Sequence, residues 1–430
     1  MTEDFSLHDV VSPLTRRRLL GVAGAAAATV LVPGLAACGG DDSGSSSGGG
    51  GSGKVSLTWW DYYNETNEQA VKDRIAAYQK LNPNVTIKRT AVPFAQLKQK
   101  LLQGATAGEL PDIVVIDNPD HSSFAALGVL ADITDQVKEW GQSSKYFEGP
   151  MQSTIYEGKN YGLPDNSNCL TLWSNTTALK QAGVEMPTDW NSLRAAVAKL
   201  TNGKQKGIAV SAVKSEEGTF QWLPFLWAAG ADLDSLDSDG GRAALQLWVD
   251  FVKSGQMSKS IVNWDQAAVL QQFENERAAL MVNGPWQIGP LKSDAPKLKW
   301  EVAPLPKDQT SASVLGGENL AITKSSKNVD AAWKFLEWTQ EPDNLRKYNI
   351  TAGKIPSRKD VAADKYWSDD PSLKAFVEQL QVARPRAYGP KYPEISAAVQ
   401  DMLQSALTGD QPVDAAVSTA AGKVKPLLQS

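Results

Sequence analysis

The sequence predicts an α/β fold in which strands alternate with helices as β-α-β units. The first observation is that β-rich runs alternate with segments whose apolar residues recur at helical spacing. The second is that run 113–116 is short and apolar, which predicts a buried strand. In the N-terminal part, the predicted elements are strand 55–60, helix 68–81, strand 85–92, helix 94–107 and strand 113–116. This alternation favours parallel strands over a β-sandwich.

Later segments continue the same alternation, and the C-terminal hundred residues are predicted to be mainly helical. The predicted strands are 208–210, 278–282 and 320–323, and the predicted helices are 191–200, 241–253, 267–276, 330–339 and 395–407. In open α/β sheets, ligands bind at the carboxyl ends of the strands. Two such sheets that face each other would therefore form a binding cleft.

The composition excludes several classes of protein. The chain has 430 residues, 42% of them hydrophobic, and a net charge of -5, as in a soluble globular protein without a basic surface for nucleic acid. It has two histidines and two cysteines, and His8 and Cys38 lie near the N-terminus. His121 and Cys169 alone cannot form a Cys/His zinc site or a C-x-x-C pair, and they leave one base for a Ser-His-Asp triad. We expect no metal and no cofactor.

The N-terminus has the pattern of an export signal and a membrane anchor. Arginines 16–18 precede an apolar, alanine-rich run that ends in Leu-Ala-Ala-Cys38, so residues 1–37 are predicted to be a signal peptide. The box before Cys38 resembles a bacterial lipoprotein signal, which implies a lipidated Cys38 followed by a flexible Gly/Ser tether over residues 38–53. The arginine pair resembles a twin-arginine signal but lacks its usual Phe and Lys, so Sec export stays open. A single transmembrane helix is the structural alternative.

Polar and aromatic residues indicate what the cleft would bind. Predicted strands are followed directly by Asp61 and Asp117, and the chain carries 14 tryptophans. An aromatic ring offers a flat face to the C–H face of a pyranose, while carboxylates and amides hydrogen-bond to hydroxyls. This mixture suits a neutral polyol. For any single tryptophan, packing in the core is the alternative.

Several segments, in the same order, resemble the family 1 extracellular solute-binding proteins of carbohydrate ABC importers, the maltose- and trehalose-binding group. The resemblance runs from about residue 55 to the C-terminus. The segments that carry it are YGLP at 161–164, LWSN at 172–175, AALMVNGPW at 278–286, GGENLAI at 316–322, AWKFLEW at 332–338, KIPSR at 354–358 and ARPR at 383–386. At 173 and 174, Trp and Ser replace the tyrosines of the family pattern.

This resemblance implies a two-lobed, periplasmic-binding-protein-like clamshell whose lobes are discontinuous in sequence. The N-terminal lobe would comprise residues 54–158 and 303–356, and the C-terminal lobe residues 159–302 and 357–430. The chain would cross between the lobes several times, and the lobes would close on a sugar.

Carried over position by position, the resemblance implies a set of binding residues. Asp117 and Asn168 would hydrogen-bond to hydroxyls, Trp286 would stack under a pyranose, and Arg386 would hold two oxygens through its planar fork. The implied residues are Asp117, Asn168, Trp222, Trp286, Gly317, Glu318 and Arg386, with Glu65 and Asp265 as further candidates. Helix capping for Asp117, a turn for Asn168 and a surface ion pair for Arg386 are the structural alternatives.

The leading hypothesis is a monomeric receptor, lipid-anchored outside the cytoplasm, that captures an oligosaccharide of the trehalose or maltose type. It would deliver the carbohydrate to the membrane permease and ATPase of an ABC importer and would not be an enzyme. One alternative is an exported glycoside hydrolase, which needs two carboxyls flanking one glycosidic bond. Another is a receptor for a phosphorylated polyol such as a glycerophosphodiester, whose site would gather cations or N–H donors.

Overall fold

The computed structural model describes residues 53–63 and 65–429, without the side chains of residues 65 and 66. The predicted signal peptide, Cys38 and nearly all of the tether lie outside these residues. In chain order, the strands of the described part are β1 (Val55–Asp61), β2 (Val85–Ala91), β3 (Ile113–Asp117), β4 (Ile155–Tyr156), β5 (Lys159–Asn160), β6 (Leu163–Pro164), β7 (Thr171–Asn175), β8 (Lys206–Ala209), β9 (Ala278–Asn283), β10 (Trp300–Ala303), β11 (Ser313–Leu315), β12 (Glu318–Ile322) and β13 (Ala383–Pro385).

Helices connect and cover these strands. In chain order they are α1 (Glu65–Leu81), α2 (Phe94–Ala107), α3 (Asn118–Ala126), α4 (Thr134–Trp140), α5 (Glu148–Gln152), α6 (Thr176–Ala182), α7 (Trp190–Leu200), α8 (Glu216–Ala228), α9 (Asp239–Lys253), α10 (Gln266–Glu274), α11 (Ile288–Asp294), α12 (Val329–Thr339), α13 (Pro342–Ala352), α14 (Lys359–Ala362), α15 (Lys365–Asp369), α16 (Pro371–Leu380), α17 (Tyr392–Thr408) and α18 (Val413–Leu427). The predicted α/β class is confirmed, and the C-terminal part is mainly helical as predicted.

Two sheets organise the described residues. The first has the strand order β2-β1-β3-β12-β6 and the second the order β10-β7-β9-β8. We call each sheet with its covering helices the first lobe and the second lobe. Strands β1, β2 and β3 are parallel, but β12 runs antiparallel to β3, and β7 runs antiparallel to β9. The expectation of parallel pairing is therefore corrected: both sheets are mixed. Sequential parallel strands are joined by a crossover connection. Strand β12 instead enters the first sheet from the second lobe, and it runs antiparallel to β3.

The first sheet is buried on both faces. Ile113 and Val115 of β3 pack into one hydrophobic cluster, and Val114 and Ile116 pack into another on the opposite face. Because successive side chains of a strand point to opposite faces, a continuous apolar run such as β3 requires cover on both sides. The side chains of β7 divide in the same way between two further clusters of the second lobe.

Three crossings of the chain between the lobes lie side by side. The backbone of residues 165–168 pairs on one side with residues 316–318 and on the other with Ile355, through hydrogen bonds of 2.6 to 3.1 Å. We call these segments the hinge ladder. Strand β6, which pairs with β12 in the first sheet, directly precedes it. The first crossing therefore lies after residue 164 and the second at residues 316–318, both later in the chain than the expected boundaries at residues 158 and 303.

Gly317 occupies a position in the hinge ladder that a side chain cannot share. Its φ is +145°, and a Cβ added there would lie 2.3 Å from the carbonyl oxygen of Asn166. Glycine is therefore required both by the backbone conformation and by the close approach of the neighbouring crossing. Gly158 also has a positive φ, of +76°, but nothing lies within 4 Å of an added Cβ.

These two glycines predict different costs for the same substitution. Gly317→Ala should lower the free energy of unfolding by at least about 3 kcal/mol, because backbone strain and overlap with Asn166 add together. Gly158→Ala should cost about 1 kcal/mol from strain alone. Urea unfolding of both variants measures the difference. Equal costs would show that the close approach in the hinge ladder has no energetic consequence.

Candidate functional site

Strand pairing brings two of the predicted site residues together at one end of the strands of the first sheet. Asp117, at the carboxyl end of β3, lies opposite Glu318, the first residue of β12. Glu318 follows Gly317 in the hinge ladder, and Asn168 lies in the neighbouring crossing, paired with Gly316. Four predicted residues therefore surround the point where the chain passes between the lobes.

Arg386 links Asp117 to the second lobe. Its two terminal nitrogens lie 3.0 and 3.1 Å from the carboxylate oxygens of Asp117. One of them also donates to Glu216, the first residue of α8. The side chain of Arg386 is only 1% exposed, and its guanidinium lies over the ring of Phe220, 4.6 Å from the centroid. We call Asp117, Arg386 and Glu216 the Arg386 cluster.

Further hydrogen bonds hold the Arg386 cluster, and its guanidinium stays charged. The hydroxyl of Tyr392 donates to Glu216 over 2.6 Å, and the hydroxyl of Ser396 donates to the same carboxylate. Burial lowers the pKa of Arg386, but the carboxylates of Asp117 and Glu216 outweigh it and raise the pKa well above its usual value. The guanidinium is therefore a permanent cation, whereas burial, only partly offset by Arg386, raises the pKa of Asp117 to about 7.

A second group of side chains lies beside the hinge ladder. The ammonium of Lys354 is 3.1 Å from the carboxylate of Glu318, and both side chains are 6% exposed. The same ammonium lies 4.9 Å from the ring centroid of Trp286. Trp286 is partly buried, and its ring lies 6.4 Å from that of Phe220. Phe220 is thus shared between this group and the Arg386 cluster.

The position of Trp286 depends on Gly284. A Cβ added at Gly284 would lie 2.0 Å from the indole ring, so the ring folds back onto a residue without a side chain. Pro285 then begins the short 3-10 turn that holds Trp286, just after the buried strand β9. The Gly-Pro-Trp sequence therefore sets the ring in one place with little freedom.

Several buried polar atoms around the hinge ladder have no hydrogen-bond partner within the described residues. They include both side-chain atoms of the Asn166 amide, the amide oxygens of Asn168 and Asn118, and Nε of Arg386. Buried polar groups in proteins are nearly always hydrogen-bonded. These atoms therefore provide hydrogen-bonding capacity for a polar ligand at the place where the predicted residues meet.

A cavity of about 250 Å³ lies between the lobes and is lined in part by Asp117 and Glu216 of the Arg386 cluster. Tyr62 and Phe94 line it from the first lobe, and Glu216, Ser396 and Gln400 line it from the second. Burial, together with the carboxylates of Glu318 and Asp117, raises the pKa of Tyr62 well above its usual value, so its hydroxyl stays protonated. The cavity thus has aromatic faces, carboxylates and hydroxyls within reach of one another.

Three predicted residues lie elsewhere or cannot be placed. Trp222 is fully buried in the core of the second lobe, because α8 is buried on every side from Gly218 to Ala228. Asp265 is exposed and caps α10 by accepting a hydrogen bond from the backbone N–H of Ala268. Both have structural roles that their local sequence does not distinguish from binding roles. The side chain of Glu65 lies outside the described residues.

The structure also places residues at the site that the sequence did not single out. Glu216 belongs to a Glu-Glu pair that follows Ser215 at the start of a helix, a pattern typical of capping. Lys354 lies in a segment that carries the family resemblance but is not among the binding residues that the resemblance implies. A signal for Lys354 was present, because it directly precedes a crossing, whereas Glu216 had none.

His121 and Cys169, the reactive residue types left open by the sequence, are both buried. Burial lowers the pKa of His121 to about 3, so its imidazole is neutral at physiological pH. The thiol of Cys169 lies 3.4 Å from the carbonyl oxygen of Phe376, and burial raises its pKa well above the usual value. Neither is poised as a base or nucleophile.

Metal-binding clusters and membrane-spanning helices are both absent from the described residues. These residues contain no group of three or more His, Cys, Asp or Glu side chains arranged to hold a metal ion. Within the same residues, no helix has the length and apolar character needed to cross a membrane.

Comparison with known families identifies the chain. The family model described as bacterial extracellular solute-binding protein matches residues 73–375, well over half of the sequence. The chain belongs to this family. Among curated relatives, the maltotriose-binding protein of Pyrococcus abyssi (strain GE5 / Orsay) is 24% identical over 379 residues, which cover 84% of this chain and 79% of that protein.

Solved structures of solute-binding proteins share the fold. An ABC transporter solute-binding protein from Thermotoga lettingae TMO, bound with α-D-tagatose, has a TM-score of 0.81 at 27% identity and covers 87% of this chain and 100% of its own. The GacH receptor of Streptomyces glaucescens, solved unliganded and with acarbose, has a TM-score of 0.81 at 25% identity, with 88% and 99% covered. The predicted two-lobed clamshell is therefore confirmed.

Proposed function

We propose that this solute-binding protein captures a neutral oligosaccharide between its lobes and delivers it to the permease of an ABC importer. The observation that carries the proposal is the meeting of aromatic faces and buried polar groups from both lobes around the hinge ladder. Trp286 and Tyr62 offer apolar faces, while Asp117, Glu318 and Asn166 offer hydrogen-bonding groups. Such a combination matches the alternating C–H faces and hydroxyl edges of a sugar ring.

The charges around the cleft favour an uncharged ligand over a phosphorylated polyol. Arg386 is paired with two carboxylates, Lys354 with Glu318, and Lys98 with Asp120 at 2.8 Å. An anionic ligand would have to compete with carboxylates already bound to these cations. A neutral ligand can instead use the remaining lone pairs of the carboxylates.

Binding without chemical change is the role that the relatives support. The P. abyssi relative is a maltotriose-binding protein and the S. glaucescens receptor was solved with acarbose, which favours an α-glucoside of the maltose or trehalose type for this chain. A glycoside hydrolase needs two carboxyls free to flank one bond, whereas Asp117 and Glu216 are both bound to Arg386, and Glu318 is bound to Lys354. We therefore prefer a receptor to an exported glycoside hydrolase.

Anchoring outside the cytoplasm completes the proposal. After export and removal of residues 1–37, Cys38 would carry lipid, and the Gly/Ser segment that follows would act as a tether. A tether of this kind lets a monomer move over the membrane surface until the loaded receptor meets its permease and the associated ATPase.

Isothermal titration calorimetry with a panel of ligands tests the proposed function. The panel contains trehalose, maltose, maltotriose, a mannobiose and glycerophosphocholine as the phosphodiester. We expect saturable one-site binding of at least one neutral oligosaccharide, no binding of the phosphodiester and no hydrolysis on long incubation. Tighter binding of the phosphodiester, or release of monosaccharide, would favour one of the two alternatives instead.

Trp286→Ala should weaken binding of whichever sugar the panel identifies. A central aromatic anchor contributes about 2 kcal/mol or more, so affinity should fall by roughly thirtyfold. Trp300→Ala is the matched control, because Trp300 is also partly buried in the second lobe but stacks on Trp173, 5.0 Å between centroids, at an edge strand.

The control variant should lose stability and keep its affinity. Calorimetry and thermal melts on both variants separate the two roles. Unchanged affinity in a folded Trp286→Ala protein would remove Trp286 from the binding site.

Cys38→Ser should release the protein from the membrane and leave sugar binding unchanged. The thiol is the attachment point of the lipid, whereas the lobes lie beyond the tether. Membrane fractionation and intact-mass measurement of the native protein give the answer. A native product that retains residues 1–37, or that begins at Cys38 without lipid, would contradict the anchoring proposal.

A further inference from the structure

The Arg386 cluster joins the two lobes across the cleft. Asp117 ends β3 of the first sheet, whereas Glu216 begins α8 of the second lobe. Arg386 directly follows β13, which pairs with β11 beside α8. The ion pair between Asp117 and Arg386 therefore forms only when the lobes are together.

A second contact crosses the cleft close to the first. The hydroxyl of Ser123 in α3 donates to the carbonyl oxygen of Pro390 over 2.7 Å. Pro390 lies just before α17, and α3 packs against α17. The two contacts are also close in sequence. In the first lobe, α3 directly follows Asp117, and in the second lobe, Pro390 follows shortly after Arg386.

The partners of the Arg386 guanidinium are supplied by the protein itself. Both terminal nitrogens are occupied by Asp117 and Glu216, and the ring of Phe220 covers one face. No ligand group is needed by these two nitrogens, whereas Nε of Arg386 has no partner within the described residues. Charge-assisted, bidentate pairs between arginine and a carboxylate are among the stronger interactions between side chains.

The second carboxylate makes this contact reversible. If the lobes separate, Asp117 moves away with the first lobe, but Glu216 stays beside Arg386, held by the hydroxyls of Tyr392 and Ser396. Arg386 is then not left as an unpaired buried charge, whose cost would otherwise prevent opening. One guanidinium shared by carboxylates of two lobes suits a contact that is made and broken repeatedly.

We propose that the Arg386 cluster is an interlobe latch that holds the cleft closed in the ligand-free protein. The ion pair to Asp117 is the part that opens, and Glu216 is a positioning residue that keeps Arg386 charged and in place in both states. The latch sets how much of the closed form is present before any solute binds. It depends on the two-lobed fold and not on the identity of the solute.

Small-angle X-ray scattering of the purified ligand-free protein tests the latch. Wild type should be compact, whereas Asp117→Asn and Arg386→Gln should each show a larger radius of gyration. Loss of one partner of a buried charge pair should raise the ratio of open to closed protein at least about tenfold. Thermal melts check that each variant is folded. If Arg386→Gln does not fold, the radius of gyration of the isosteric Asp117→Asn variant alone tests the latch.

Arg384→Gln is the matched control. Arg384 lies two residues away and also pairs with an aspartate, Asp232, and lies over an indole, that of Trp227, 5.0 Å from the ring centroid. These partners belong to the same lobe, so its loss should leave the radius of gyration unchanged. Equal compactness of wild type and the folded Asp117→Asn variant would overturn the latch, as would a control that opens to the same extent.

Discussion

The hinge ladder is the constraint on which the rest of the site depends. Two sheets with separate hydrophobic cores are joined where residues 165–168 hydrogen-bond to the crossings at 316–318 and at Ile355. Backbone hydrogen bonds fix the three crossings side by side, and the glycine at 317 allows them to approach closely. Because Glu318, Asn168 and Lys354 lie on or next to these crossings, the geometry that joins the lobes also places the polar groups of the cleft.

The buried cationic side chains of this region are paired with carboxylates. Arg74 in α1 lies 2.9 Å from Asp165 at the start of the hinge ladder, and both are almost fully buried. Lys354 pairs with Glu318, and Arg386 with two carboxylates. A buried ion without a partner is costly, whereas paired ions leave some lone pairs and N–H groups available. The cleft is therefore polar enough for a sugar but has no unpaired cation among these three to attract an anion.

The sequence predicted features that local patterns encode. Alternating apolar runs indicated the α/β class, the family resemblance of segment 278–286 indicated Trp286, and a strand followed by an acid indicated Asp117. The sequence did not predict features that depend on contacts between distant parts of the chain. The direction of β12 and the contact of Arg386 with Asp117, 269 residues apart, depend on how the chain crosses between lobes. Trp222 and Asp265 show the converse: one packs in a core and one caps a helix, although their local sequence allows binding roles equally well.

A crystal structure of the protein with the sugar that binds most tightly in calorimetry tests the central claim most directly. The account predicts electron density for the sugar between the lobes, with one ring against Trp286 and hydroxyls within hydrogen-bond distance of Asp117 or Glu318. Both lobes should contribute contacts, and the hinge ladder should keep its backbone hydrogen bonds. Density for the sugar on the outer surface of one lobe, away from Trp286 and the hinge ladder, would contradict the account.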